Sequence, residues 1–231
     1  MKTIGLIGGM SWESSQEYYR IINETIKSRL GGLHSAKCIL YSVDFAEIEL
    51  MQRQGKWSEM GQVLADVAQN LETAVADLIV ICTNTMHKVA DNIQTHISIP
   101  LLHIADATAQ RVKAANVQKI GLLGTRYTME EDFYISRLVK NFGLDVIIPD
   151  TQEREIVHRV IFDELVVGDI RQTSKEQYLK IIDHLVKQGA QGVILGCTEI
   201  GLLIHPEDCQ MPLFDTTRIH AEAAVEFALA E

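Results

Sequence analysis

The sequence has no run approaching the roughly 18 uninterrupted apolar residues that a membrane helix needs, so no membrane span is expected. It has no Lys/Arg cluster, and its formal net charge is −10, which argues against nucleic acid or an anionic membrane as partner. Cysteine is sparse, at four residues: Cys38, Cys82, Cys197 and Cys209. None falls in a CxxC pair or a zinc-like His/Cys spacing, so reduced thiols are expected and no metal site. Buried thiols are ordinary core residues, and that is the expectation for Cys38, Cys82 and Cys209. His34, His96, His103, His184, His205 and His220 show no metal-ligand spacing and receive no role. No phosphate-handle motif or lysine context signals a pyridoxal cofactor, so no cofactor is expected. No His-plus-Asn signature stands beside Cys197, which disfavours a cysteine hydrolase. Met1-Lys2-Thr3-Ile4 leads straight into a strand pattern with no leader-like segment, and a cytoplasmic protein is expected.

What the sequence does have is 231 residues, 47% of them apolar, enough for two small domains with real cores. Short apolar runs alternate with helical patterns. Strands are expected at 3–7, 38–43, 77–82 and 99–103, then at 119–123, 144–148, 191–195 and 212–214. Helices are expected at about 15–30, from a cap at Ser58 through Ala74, then at 129–142, 154–165, 174–188 and the C-terminal end. This alternation predicts an α/β protein with doubly wound parallel sheets covered on both faces.

The two rounds of strands resemble each other. Ile4-Gly5-Leu6-Ile7-Gly8 echoes Ile120-Gly121-Leu122-Leu123-Gly124 at an offset of 116, and Thr83 corresponds to Cys197 at 114. Near-equal offsets predict an internal duplication into two similar domains; if a pseudo-twofold relates them, their strand ends can face one interdomain cleft. Ligands of parallel sheets bind beyond the strands' carboxyl ends. Four polar loops are expected there: Gly8–Ser11, Thr83–Thr85, Gly124–Thr128 and Cys197–Glu199. Thr83 and Cys197 would then approach one carbon from opposite sides. A thiol suits proton transfer, because its pKa near 8.5 falls where N–H dipoles surround it, and Cys197 is expected to sit in such a place. Backbone amides and hydroxyls of Asn84, Thr85, Thr125 and Thr198 are candidate donors to a developing enediolate. Met10 and Ser11 are expected to line the pocket through their N–H groups. Glu199 either meets a substrate ammonium or caps the next helix, and His87 either tunes the Thr83 loop or is structural. Trp12 and Tyr127 are expected to pack or act as lid residues.

These residues resemble the aspartate/glutamate racemase family along essentially the whole chain. Ile4 to Trp12 is similar to its opening strand and loop. Thr83-Asn84-Thr85-Met86-His87 resembles its first catalytic motif, and Gly196-Cys197-Thr198-Glu199-Ile200 its second. Ser42-Val43-Asp44-Phe45 and Gly124-Thr125-Arg126-Tyr127-Thr128 are most similar to the L-aspartate/glutamate-specific branch. The resemblance implies racemisation of aspartate or glutamate without cofactor, a small amino acid as ligand, and a homodimer. It also implies a first domain at 1–103, a second at 104–215, and a C-terminal helix at about 216–231 packing back on the first. Catalysis falls to Cys197 and Thr83. Met10, Ser11, Asn84, Thr85, Thr125, Thr128, Thr198 and Glu199 fall to substrate binding.

Two departures matter. The family places cysteine where this chain has Thr83, and Cys82 is one residue early, on the opposite strand face unless a bulge re-aims it. A hydroxyl is a poor base but can relay a proton, so good turnover of the L-enantiomer and poor turnover of the D-enantiomer are expected. Some aspartate racemases carry a lysine near the segment corresponding to Leu165–Gly168; none is present here. Arg53 is then the candidate partner of the distal carboxylate, its alternative being a solvated surface arginine. Two other functions compete: a cysteine-dependent isomerase or decarboxylase of another small dicarboxylic acid, and a non-catalytic binder of a small ligand.

Overall fold

The computed structural model describes residues 1–230 and divides into two compact units, Met1–Ile104 with the chain from His220 onward, and Ala105–Ile219. In chain order the first contributes β1 (Ile4–Gly8), α1 (Trp12–Leu30), β2 (Cys38–Ser42), α2 (Phe45–Arg53), α3 (Trp57–Thr73), β3 (Leu78–Ile81), a 3-10 turn over Thr85–Val89, α4 (Ala90–Gln94) and β4 (Leu101–Leu102). After α5 (Ile104–Ala114) come β5 (Lys119–Gly124), α6 (Arg126–Glu130), α7 (Asp132–Phe142), β6 (Asp145–Ile147) and α8 (Thr151–Asp163). A 3-10 turn over Leu165–Val167, α9 (Gln172–Lys187), β7 (Val193–Gly196), α10 (Ile200–Leu203), a 3-10 turn over Pro206–Asp208, β8 (Leu213–Asp215) and α11 (Thr216–Leu229) complete the chain.

Each unit holds one four-stranded parallel sheet, ordered β2-β1-β3-β4 in one and β6-β5-β7-β8 in the other. The central registers also agree. Gly5 lies opposite Ile79 in the first sheet and Gly121 opposite Val193 in the second, at the same two offsets seen in the sequence. The α/β class with two similar doubly wound sheets is therefore what the alternation predicted.

The first sheet shows why its strands are apolar on both faces. Ile4, Leu6, Leu78, Val80 and Cys82 pack with Tyr18, Ile22 and Ile26 of α1 and Ala221, Ala224 and Val225 of α11. Ile7, Ile79 and Ile81 point the other way, onto Met60, Leu64, Val67 and Leu71 of α3. In the second unit Ile120, Leu122, Leu123, Val193, Ile194 and Leu195 are similarly buried, with α8 and α9 against β5.

Several helix boundaries differ from the sequence expectation. Helix α1 begins at Trp12, a turn earlier than expected, because Ser11 rather than a later residue is its cap. Ser58 caps nothing: α3 starts at Trp57 behind Lys56, with no side-chain cap. Helices α2 and α5 were not expected; Asp44 starts the first by accepting from the Ala46 N–H at 3.0 Å. Helix α8 starts at Thr151, where Asp150 and Glu153 form a reciprocal capping box.

Four helices, α2, α3, α5 and α9, end in the same left-handed turn, at Gly55, Val75, Asn116 and Gly189, with φ of 67°, 65°, 56° and 97°. After α3 and α9 the residue beyond donates to the carbonyl five back: Ala76 to Leu71 and Ala190 to Leu185, both at 3.0 Å. Val75 and Gly189 are again 114 residues apart, but only one of the two is the residue this conformation favours.

Candidate active site

In the first unit two loops leave the carboxyl ends of the central strands β1 and β3, and serines of α1 tie them together. The Ser11 hydroxyl accepts from the Ser14 N–H at 3.3 Å, and the Ser14 hydroxyl donates to the Cys82 carbonyl at 2.9 Å. Ser15 donates to the Ser11 carbonyl and accepts from the Gly9 N–H, each at 2.8 Å. Gly9 lets the first loop turn this tightly. Its φ is +91°, and a Cβ there would stand 2.2 Å from the Val43 carbonyl oxygen. Met10 is packed in the core below, and Ser11 is buried.

Thr83, Asn84 and Thr85 follow β3, all buried, with Thr83 the most open of the three at 9% exposure. The Thr83 carbonyl meets His87 Nδ1 at 2.8 Å, and the Ile104 N–H donates to His87 Nε2 at 3.1 Å. Burial, followed by the neighbouring His103, holds the His87 pKa well below the ordinary histidine value. Its ring lies 4.6 Å from that of His103 and 5.6 Å from that of His220. His220 meets the Tyr18 hydroxyl at 2.8 Å through Nδ1 and the Leu102 carbonyl at 2.9 Å through Nε2; burial depresses its pKa to about 3.

Cys82 does not replace Thr83. Its N–H pairs with the Ile7 carbonyl at 2.9 Å, and its fully buried thiol sits in the core with Leu6, Tyr18 and Val80. Burial raises that thiol's pKa, with Cys38 adding to the effect. No bulge turns it toward the loop, so the strand's alternation decides. Arg53, at the end of α2, is mostly exposed and bonds Glu49 one turn back. It therefore adopts the surface arrangement that was its alternative.

In the second unit the corresponding loops follow β5 and β7. Thr125 caps α6, accepting from the Thr128 N–H at 3.3 Å, and the two hydroxyls lie 3.2 Å apart. Gly196 is needed for close approach, since a Cβ there would stand 2.7 Å from the Leu123 carbonyl. Beyond it Cys197 is buried but for 8% of its surface. Its thiol donates to Glu199 Oε2 at 3.0 Å, and the Thr198 hydroxyl donates to the same oxygen at 2.9 Å. Glu199 is the N-cap residue of α10 but makes no side-chain cap; its carboxylate meets the thiol and hydroxyl instead. The Thr217 hydroxyl donates to the Thr198 carbonyl at 3.3 Å.

The electrostatics at Cys197 correct the sequence expectation. Burial, then the Glu199 carboxylate, raises the thiol's pKa well above its ordinary value; the Glu199 and Thr198 backbone N–H groups pull the other way but do not win. At rest the site holds a protonated thiol beside a carboxylate. The sequence singled out Cys197, Thr198 and Glu199 but gave Glu199 to a substrate ammonium, to orienting the site or to a helix cap, so that bond was not foreseen. It also left His103 and His220 without a place, since neither stands near His87 in sequence. Among the described residues no group of three or more His, Cys, Asp or Glu side chains is arranged to hold a metal.

The model of the Asp/Glu/hydantoin racemase family matches residues 7–224. The chain belongs to that family. A Yersinia pestis crystal structure provisionally named an Asp/Glu racemase is 56% identical to it, with a TM-score of 0.93 and all of both chains covered. An aspartate racemase homologue from Pyrococcus horikoshii is 36% identical, with a TM-score of 0.86 and again full coverage of both. The broad-specificity amino-acid racemase RacX of Bacillus subtilis is 25% identical over 176 residues, 74% of each chain. The family match takes in both loop pairs, from the end of β1 to α11.

Proposed function

We propose that the protein racemises aspartate or glutamate without a cofactor, Cys197 taking the Cα proton of the L-enantiomer and Thr83 serving the opposite face. The observation that carries this is the Cys197–Glu199 pair at 3.0 Å beyond β7, in a chain of this family. The Glu199 carboxylate is one reason the sulfur keeps its proton. A substrate ammonium beside Glu199 offsets that charge, so the thiolate is opposed by burial alone and supported by the two backbone N–H groups and the ammonium; the thiol's proton passes to solvent. The substrate thus lowers the cost of forming its own base.

The thiolate then takes the Cα proton, and the bond's electron pair moves onto the substrate carboxylate as an enediolate. N–H groups and hydroxyls of Thr198, Thr125, Thr128, Asn84 and Thr85, with the N–H groups of Met10 and Ser11, are the proposed donors. A proton reaches the other face from a water relayed by the Thr83 hydroxyl, and bulk water restores both groups. No electrons are gained or lost. The distal carboxylate goes to Arg53. Leaving Glu49 costs it little, because exposed helix pairs of this spacing are worth only about 0.3–0.5 kcal/mol. The enzyme works in the cytoplasm and forms a homodimer; edge strand β2, which leaves Leu40 and Tyr41 exposed, supports the homodimer alone.

The test is deuterium incorporation at Cα of L-aspartate and L-glutamate in D₂O. Exchange should be present in the unmutated protein, lost in Cys197→Ser and kept in Cys82→Ala. No exchange of either amino acid by the unmutated protein would sink the proposal and favour a binding protein.

A further inference from the structure

We propose that His87 is a positioning residue for Thr83: a neutral imidazole, protonated on Nδ1, that clamps the Thr83 carbonyl to the N–H of Ile104. This rests on the racemase reading above and adds the device that aims its weaker face.

The geometry assigns the tautomer. A carbonyl can only accept and an amide N–H can only donate, so Nδ1, 2.8 Å from the Thr83 carbonyl, must carry the proton. Nε2, 3.1 Å from the Ile104 nitrogen, must offer its lone pair. The Leu102 and Asn84 carbonyls also lie near the ring, and neither nitrogen is left for the chemistry. The ring is nearly inaccessible and stands against those of His103 and His220. His220 is itself held by Tyr18 and the Leu102 carbonyl, so the packing opposes rotation. Ile104 is the first residue of α5, which makes the anchor a helix start rather than a free loop.

The consequence is specific to one face. Cys197 lies in a different loop, after β7, and loss of the clamp leaves its Glu199 bond intact. Thr83 carries only a hydroxyl, so its efficiency depends on where that hydroxyl points. A loosened Thr83 allows the carbanion to be reprotonated from the Cys197 side more often. The substrate then exchanges its Cα hydrogen but keeps its configuration. The ratio of inversion to exchange therefore reports on His87, whereas a general loss of stability lowers both together.

Two conservative variants separate the halves of the clamp. In His87→Asn the amide reaches the place of Nδ1 and can still donate to Thr83. In His87→Gln the longer side chain reaches the place of Nε2 and serves Ile104 instead. With L-aspartate and L-glutamate in D₂O, His87→Gln, which loses the Thr83 half, should lower inversion per exchange event about tenfold, and His87→Asn, which loses the anchor, should lower it by less. Nitrogen-15 NMR of the unmutated protein supplies a second measurement, independent of variant folding, and should show His87 protonated on Nδ1 only. A proton on Nε2, or a ratio that neither variant moves while exchange and inversion persist, overturns the role of His87 alone. No exchange in the unmutated protein overturns the racemase reading, and this role with it.

Discussion

Acid should unfold this protein through its buried histidines before its carboxylates matter. His220 is the clearest case. Its pKa falls from about 6.5 when unfolded to about 3 when folded, because burial, helped by the nearby His87, disfavours the charged ring. A depressed folded pKa means that the unfolded chain binds the extra proton first. The stabilisation is complete above the unfolded value and is lost as pH falls from about 6.5 toward 3. Within that window each such histidine costs about 1.4 kcal/mol per pH unit, so His220 alone removes about 2 kcal/mol between pH 7 and pH 5. His87, shifted in the same direction, adds to the loss. The assay is the urea midpoint at pH 7, 6 and 5, where 2 kcal/mol corresponds to a fall of about 1 M. His220→Gln keeps a donor for the Leu102 carbonyl and removes the titration. It should be less stable at pH 7 but flatter with pH, its slope smaller than that of the unmutated protein by about 1.4 kcal/mol per pH unit. Equal slopes in the two proteins would refute the reasoning.

Two other outcomes follow from local geometry. Glu199→Gln removes the carboxylate that helps hold the proton on Cys197, so that thiol's pKa should drop, seen as faster alkylation of the Cys197 peptide near pH 8 by mass spectrometry. The same variant should lose about 100-fold in Cα exchange, because the ammonium has lost its counter-charge. Val75 is a β-branched residue at φ 65° whose side chain is 76% exposed, so Val75→Gly relieves strain and loses little burial. The strain of about 1–2 kcal/mol outweighs the entropic cost of glycine, and a gain of about 0.5–1 kcal/mol is expected as a thermal midpoint 1–4 °C higher.

Much of this protein was legible because its signals are local or periodic. Runs such as Ile4–Ile7 and Leu78–Ile81 are apolar at every position, as only a strand covered on both faces needs to be. The repeated offsets anticipated two similar sheets; that both share one strand order is seen only in the structure. Alternation along β3 was enough to set Cys82 apart from Thr83. Short helices were less legible, since α2 and α4 are too brief for their periodicity to stand out.

The sequence by itself determined the two similar rounds of strands, the polar residues at the strands' carboxyl ends and the family, because these depend on residue type and spacing along the chain. Only the tertiary structure decided the charge state of the site. Whether Cys197 rests as thiol or thiolate depends on burial and on where the Glu199 carboxylate turns; which nitrogen of His87 holds its proton depends on a carbonyl and an amide brought to its two sides. Protonation is set by distances through space, and chain order does not carry them.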